Sequence, residues 1–129
     1  MKRSTSNWLK VAFKDLKIAK ICIKEDEPLN AIFHMHACVE KTLKGLAEEK
    51  GLVPPKIHSL KKLAVEVCEL RLEKHQNDLL NLLDKAFIGS RYPDEVERFE
   101  EEYDIERCLV LANEVEAAIK WLKNLIEAN

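Results

Sequence analysis

Between Ser6 and Glu25 the apolar residues Trp8, Ala12, Leu16, Ala19 and Ile23 recur every three or four positions, and Val11, Ile18 and Cys22 widen the stripe. That spacing is the period of a helix with one buried face. Lys10, Lys14, Lys17, Lys20 and Lys24 fall together on its opposite side. A second helix is predicted from Asp26–Pro28, an acidic start with proline in the first turn, to Gly51. Pro54 and Pro55 make 51–57 a loop. A third helix, Ser59 to Glu69, rests on Leu60, Leu63, Ala64 and Val67, and a fourth, Glu73 to Ile88, on Leu79, Leu80, Leu83, Ala86 and Phe87, with Gly89 at its end. Ser90 to Tyr103 reads as an irregular connection. The last helix, Asp104 to Glu127, carries Ile105, Cys108, Leu109, Ala112, Val115, Ile119, Leu122 and Ile126. The expected architecture is all-α, an up-and-down bundle of about five helices forming one domain over residues 1–129.

Composition narrows this further. Three glycines and four prolines leave little material for hairpins or glycine-rich phosphate loops, against β-sandwich, Rossmann and P-loop architectures. A net charge of −2 disfavours a surface that is basic all over. The basic residues are nevertheless uneven: residues 1–24 hold seven of them against one acid. That face either keeps the protein in solution or meets a polyanion. The chain has no apolar run of the roughly 18 residues a membrane span needs, and Met1 to Asn7 lacks a signal-peptide core, so no membrane association and a cytoplasmic location are expected. Cys22, Cys38, Cys68 and Cys108 lie far apart, one to a predicted helix, and read as buried reduced thiols.

Charges interrupt two of the apolar stripes. On the second helix His36, Glu40 and Lys44, spaced i, i+4 and i+8, share the arc of Leu29, Ile32, Phe33, Val39, Leu43 and Ala47. On the first, Asp15 projects between Trp8 and Ala19. Charges so placed must pair internally, Glu40 with Lys44 and Asp15 with a cation elsewhere, or line a cleft or subunit interface, because an unpaired buried charge is very costly. His34 and His36 diverge on a helix, and no Glu-x-x-His occurs, so no metal site or cofactor is implied. His34 and His75 read as solvent-facing. After the fourth helix, Arg91-Tyr92-Pro93 joins an arginine fork, an aromatic plane and a rigid proline, a candidate phosphate or RNA contact. Its structural alternative is an arginine buried against an acid such as Asp15.

Four motifs in order, Ala12-x-x-Asp15-Leu16-x-x-Ala19, Glu40-Lys41-x-Leu43-Lys44-Gly45-Leu46, His58-Ser59-Leu60 and Arg91-Tyr92-Pro93-Asp94, resemble the HEPN domain (higher eukaryotes and prokaryotes nucleotide-binding domain) over about residues 8 to 125. The resemblance implies an all-α bundle, commonly dimeric, often encoded beside or fused to a minimal nucleotidyltransferase. Many members of that family are metal-independent ribonucleases that use an Arg and a His four to six residues apart, paired across a dimer. Here the histidine positions after Arg91 hold Val96, Glu97 and Arg98, and no histidine follows His75. Residues 94–107 also carry eight acids against two arginines, a surface hostile to RNA.

The expected protein is therefore a noncatalytic, homodimeric nucleotide- or phosphate-binding module that partners a minimal nucleotidyltransferase subunit, as in toxin–antitoxin systems. Lys44, His58 and Arg91 are the expected phosphate contacts, Tyr92 stacks, and Asp15 and Glu40 orient the cations. The alternatives are a ribonuclease with a rearranged site, in which His58 or His36 replaces the missing histidine, and a pure interaction bundle.

Overall fold

The computed structural model describes residues 1–129 and is all-helical. Helix α1 (Arg3–Lys24) and helix α2 (Pro28–Glu49) form a long antiparallel pair. α2 is the axis of the bundle. Thirteen of its 22 residues are buried, against six of 22 in α1, because α2 packs on α1, on α6 (Ile105–Glu127) and on α4 (Lys74–Gly89) at once. Gly45 lets α1 come close: a Cβ there would lie 3.2 Å from Trp8 Cβ. The far end of the pair is tied by Glu49, which accepts hydrogen bonds from the Lys2 backbone N–H and the Thr5 hydroxyl, each at 2.9 Å. One cluster of 30 buried apolar residues runs through the elements and forms the core.

The predicted helices form, with differences that have local causes. α1 begins at Arg3 rather than Ser6, and α2 is capped at Glu27, with Pro28 in its first turn as its fixed φ favours. The third helix is short: one α turn, α3 (Leu60–Lys62), widens into a π turn over Leu63–Val67. The stretch expected to be an irregular connection is the main correction. Pro93–Glu95 form a 3-10 turn and Val96–Glu102 a further helix, α5, which brings the count to six. Phe99 and Tyr103 lie one turn apart there, both buried with rings 4.8 Å apart, and give the segment an anchor. Acids at its start suit a helix N-terminus.

Several stripe positions also change sides. Val11, Ile18, Phe33 and Leu109, expected on buried faces, are exposed. Cys38, Cys68 and Cys108 are buried free thiols, whereas Cys22 is only half-buried. Desolvation pushes Cys38 up to about 12 and both Cys68 and Cys108 up to about 11. No helix is long and apolar enough to cross a membrane.

Candidate functional site

The ionisable groups of the α2 stripe are buried and paired. Asp15, 7% exposed, faces α2, where Lys41 Nζ lies 2.5 Å from Oδ2 and His34 Nδ1 lies 2.8 Å from Oδ1. An ionised carboxylate can only accept, so His34 carries its proton on Nδ1 in this contact. His34 is therefore not solvent-facing as expected: it hydrogen-bonds an inward-pointing acid on the neighbouring helix. His75 does lie at the surface, 3.5 Å from Glu73.

One turn further along, Lys44 Nζ donates to Glu40 Oε2 at 3.0 Å while itself only 7% exposed. Glu40 in turn receives His58, whose Nδ1 lies 3.2 Å from both carboxylate oxygens. Asp15 and Glu40 thus serve two separate clusters on adjacent faces of α2, and Arg91 forms an ion pair with neither acid. Lys44 is turned inward to an acid, the internal pairing weighed as the alternative to a ligand contact.

Asp84 on α4 explains how His58 comes to be held there. Its carboxylate accepts from the Leu60 and Lys61 backbone N–H groups at 2.9 and 3.2 Å, and from the Ser59 hydroxyl at 3.3 Å, so it caps α3 from another helix. It also pairs with His36 Nε2 at 3.0 Å. Burial pushes the Asp84 carboxyl up, but the bonds from His36, Leu60 and Lys61 outweigh it and hold the group below the usual carboxylate range. With α3 docked on Asp84, the nearby His58 reaches Glu40 and stays 60% exposed. His36 is only 1% exposed, and its Nδ1 has no hydrogen-bond partner, the nearest charge being Glu40 Oε1 at 3.8 Å.

Phe87 joins these groups to the arginine loop. Its ring stacks on His36 at 4.1 Å, lies 6.0 Å from Phe33 and 6.2 Å from His58, and carries the Arg91 guanidinium 4.9 Å from its centroid. Arg91 is exposed, touches no carboxylate, and so is not the arginine buried against Asp15 that was the alternative. Tyr92 beside it is 58% exposed. Arg91 and His58 thus share one aromatic neighbour, with the partly exposed Phe33 alongside.

A family model described as the HEPN domain matches residues 5–125. The chain belongs to the HEPN domain family. A relative in Methanocaldococcus jannaschii, named "Putative toxin MJ1304", is 28% identical over 127 residues, covering 88% of this chain and 84% of that protein. Among solved structures, TT1696 from Thermus thermophilus superposes with a TM-score of 0.83 at 21% identity, covering 96% of this chain and 99% of that one. ST0689, described as an archaeal HEPN homologue, superposes with a TM-score of 0.75 at 23% identity, covering 98% and 99%. The all-α HEPN fold follows from both neighbours and from the family match. In this HEPN domain Asp84, Phe87 and Phe33 are the residues near the site that sequence reasoning missed. Asp84 carried a signal, since it sits on the Leu80–Leu83–Phe87 stripe of α4 and breaks it as Glu40 breaks that of α2.

Proposed function

We propose that this HEPN domain binds a nucleotide or other phosphate without catalysis on the face made by Arg91, His58 and Tyr92, and that it acts as a homodimeric partner of a minimal nucleotidyltransferase subunit in a toxin–antitoxin-like pair. The observation that carries the binding face is the unpaired Arg91 fork lying on Phe87, beside an exposed histidine. A guanidinium without a carboxylate partner keeps its donors free for a phosphate. In this reading Lys44 and Glu40 act behind the face: Lys44 neutralises Glu40, and Glu40 orients His58. Asp15 steadies α1 against α2. Tyr92 offers an exposed plane for a base.

A second reading, RNA cleavage, draws on the Glu40–His58 pair and on the toxin-like relative. Glu40 accepts from Nδ1–H and leaves Nε2 of the exposed ring free to take a proton from a ribose 2′-hydroxyl as its oxygen attacks phosphorus. The 5′-oxygen would leave with a proton from solvent, giving a 2′,3′-cyclic phosphate.

One set of measurements separates the readings. A nucleoside triphosphate is expected to raise the melting temperature, less so with added salt, because a ligand bound only by the folded state stabilises it by mass action. Arg91→Ala should abolish the shift and Arg91→Lys weaken it. No shift with any common nucleotide at millimolar concentration would overturn the binding face. Chelator-resistant cleavage of single-stranded RNA that is lost in both Arg91→Ala and His58→Ala would replace the noncatalytic reading with the second.

A further inference from the structure

A cavity of the molecule lies away from the Phe87 cluster. It is a groove of about 450 Å³ between the first half of α4 and the middle of α6. Leu79 and Leu82 form the α4 wall, Ala117 and Trp121 the α6 wall, and Asp78 and Glu114 stand at its edges. The space exists because α6 presents alanine where a larger side chain would meet α4, and the two helices barely touch. It is separate from the proposed phosphate face. Asp84 and Phe87 turn toward α2 and α3, and Phe87 lies roughly 14 Å along α4 from Asp78 at about 1.5 Å per residue.

The unpaired charge of the groove has one sign, since His75 at its edge lies 3.5 Å from Glu73. Asp78 is already neutralised by Lys74 at 2.8 Å, whereas Glu114 forms no ion pair. Gln76 and His75 also line it, and the rest of the walls is apolar, with the Trp121 ring half-exposed among them. Pockets of this size suit small organic ligands. An aromatic plane that shares a groove with an unpaired carboxylate attracts a cation through the ring quadrupole and through the charge, and repels an anion. We propose that this groove is a second binding site, for a small organic cation with a flat apolar body and one protonated amine.

Three indole probes differing only in charge test it: tryptamine, its neutral alcohol tryptophol, and indole-3-acetate. Binding is followed by amide and indole N–H chemical shifts of the isotope-labelled protein, with the two tryptophan indole signals assigned through Trp8→Phe. Tryptamine is expected to shift Ala117 and the Trp121 indole saturably at millimolar concentration and to leave Arg91 and Tyr92 unmoved. Tryptophol should bind more weakly and indole-3-acetate least. Glu114→Gln, at an exposed position, should weaken tryptamine about two- to fivefold, the range of an exposed ion pair. Ala117→Leu, which fills the groove from its exposed rim, should abolish the shifts while the spectrum elsewhere is retained. Absence of saturable shifts, equal binding of the three probes, or shifts centred on Arg91 would each overturn the proposal. None of these results bears on the triphosphate test above.

Discussion

Replacing Asp84 by alanine removes the acceptor that joins three elements. In the native protein its Oδ1 takes His36 Nε2 and the Leu60 N–H, and its Oδ2 takes the Lys61 N–H and the Ser59 hydroxyl. Hydrogen bonds to a charged group contribute about 1.5–3 kcal/mol each. Four donors on one carboxylate do not add, and its side chain keeps 19% exposure, so water recovers part of the loss. Against that, alanine removes the hydrogen-bond partner of His36 Nε2 in a ring that is only 1% exposed. We expect Asp84→Ala to cost about 3 kcal/mol, a large share of the roughly 5–15 kcal/mol typical of a small domain. Asp84→Asn with its oxygen on the Oδ1 side keeps His36 and Leu60 and puts a donor against Lys61, so its expected cost is smaller, about 1 kcal/mol. Urea unfolding at about pH 6 measures both. The pH dependence has a defined sign. Because the folded carboxyl is held below its ordinary value, its stabilisation is fully present above the unfolded value near about 3.9 and is lost as pH falls through the lower folded one. The gap between wild type and Asp84→Ala should therefore close toward pH ~2. An alanine cost below about 1 kcal/mol, or one equal to that of asparagine, would refute the assignment of Asp84 as the cap of α3.

Lys44→Met, which leaves the buried Glu40 carboxylate with histidines alone, should lower stability by about 3 kcal/mol by urea unfolding, yet keep the triphosphate-induced rise in melting temperature, the reverse of Arg91→Ala. In iodoacetamide labelling at about pH 8, half-buried Cys22 should react first, and Cys38, Cys68 and Cys108 only as fast as the protein opens, because they are buried and their thiols are pushed up to about 11 or 12.

The long helices were legible because their apolar stripes survive into the structure, on one face of α4 and α6 and around most of the central α2. α5 was not, since so short a segment gives two turns at most and the charged residues that make up most of VERFEEE hide a single anchor, Phe99. Val11 and Ile18 misled for a related reason. They fit the period of α1, but only α2 and a little of α6 cover that helix, so its stripe is narrower than its apolar residues suggest. The anomalous charges on α2 were visible by register alone, whereas their partners were not: Lys41 and His34 for Asp15, Asp84 for His36, and His58 for Glu40 come from how helices meet. Periodicity says that a charge points inward. Which charge it meets depends on the rotation of the neighbouring helix.

That distinction separates the two kinds of cation in this domain. Lys44 is held on Glu40 with its charge already spent inside the protein, and Trp8 lies 6.0 Å away on its other side, so a ligand could recruit it only by breaking a nearly buried pair. Arg91 stands on an aromatic ring at the mouth of a loop with its fork unsatisfied, and a phosphate there displaces only water. The two positions looked equivalent in sequence, since each is a cation beside an apolar stripe. In space one is held inside the fold on an acid and the other lies exposed without an ion pair. The chain from Lys44 through Glu40 to His58 then has a second consequence: it holds the exposed histidine ring beside Phe87, the aromatic neighbour it shares with Arg91.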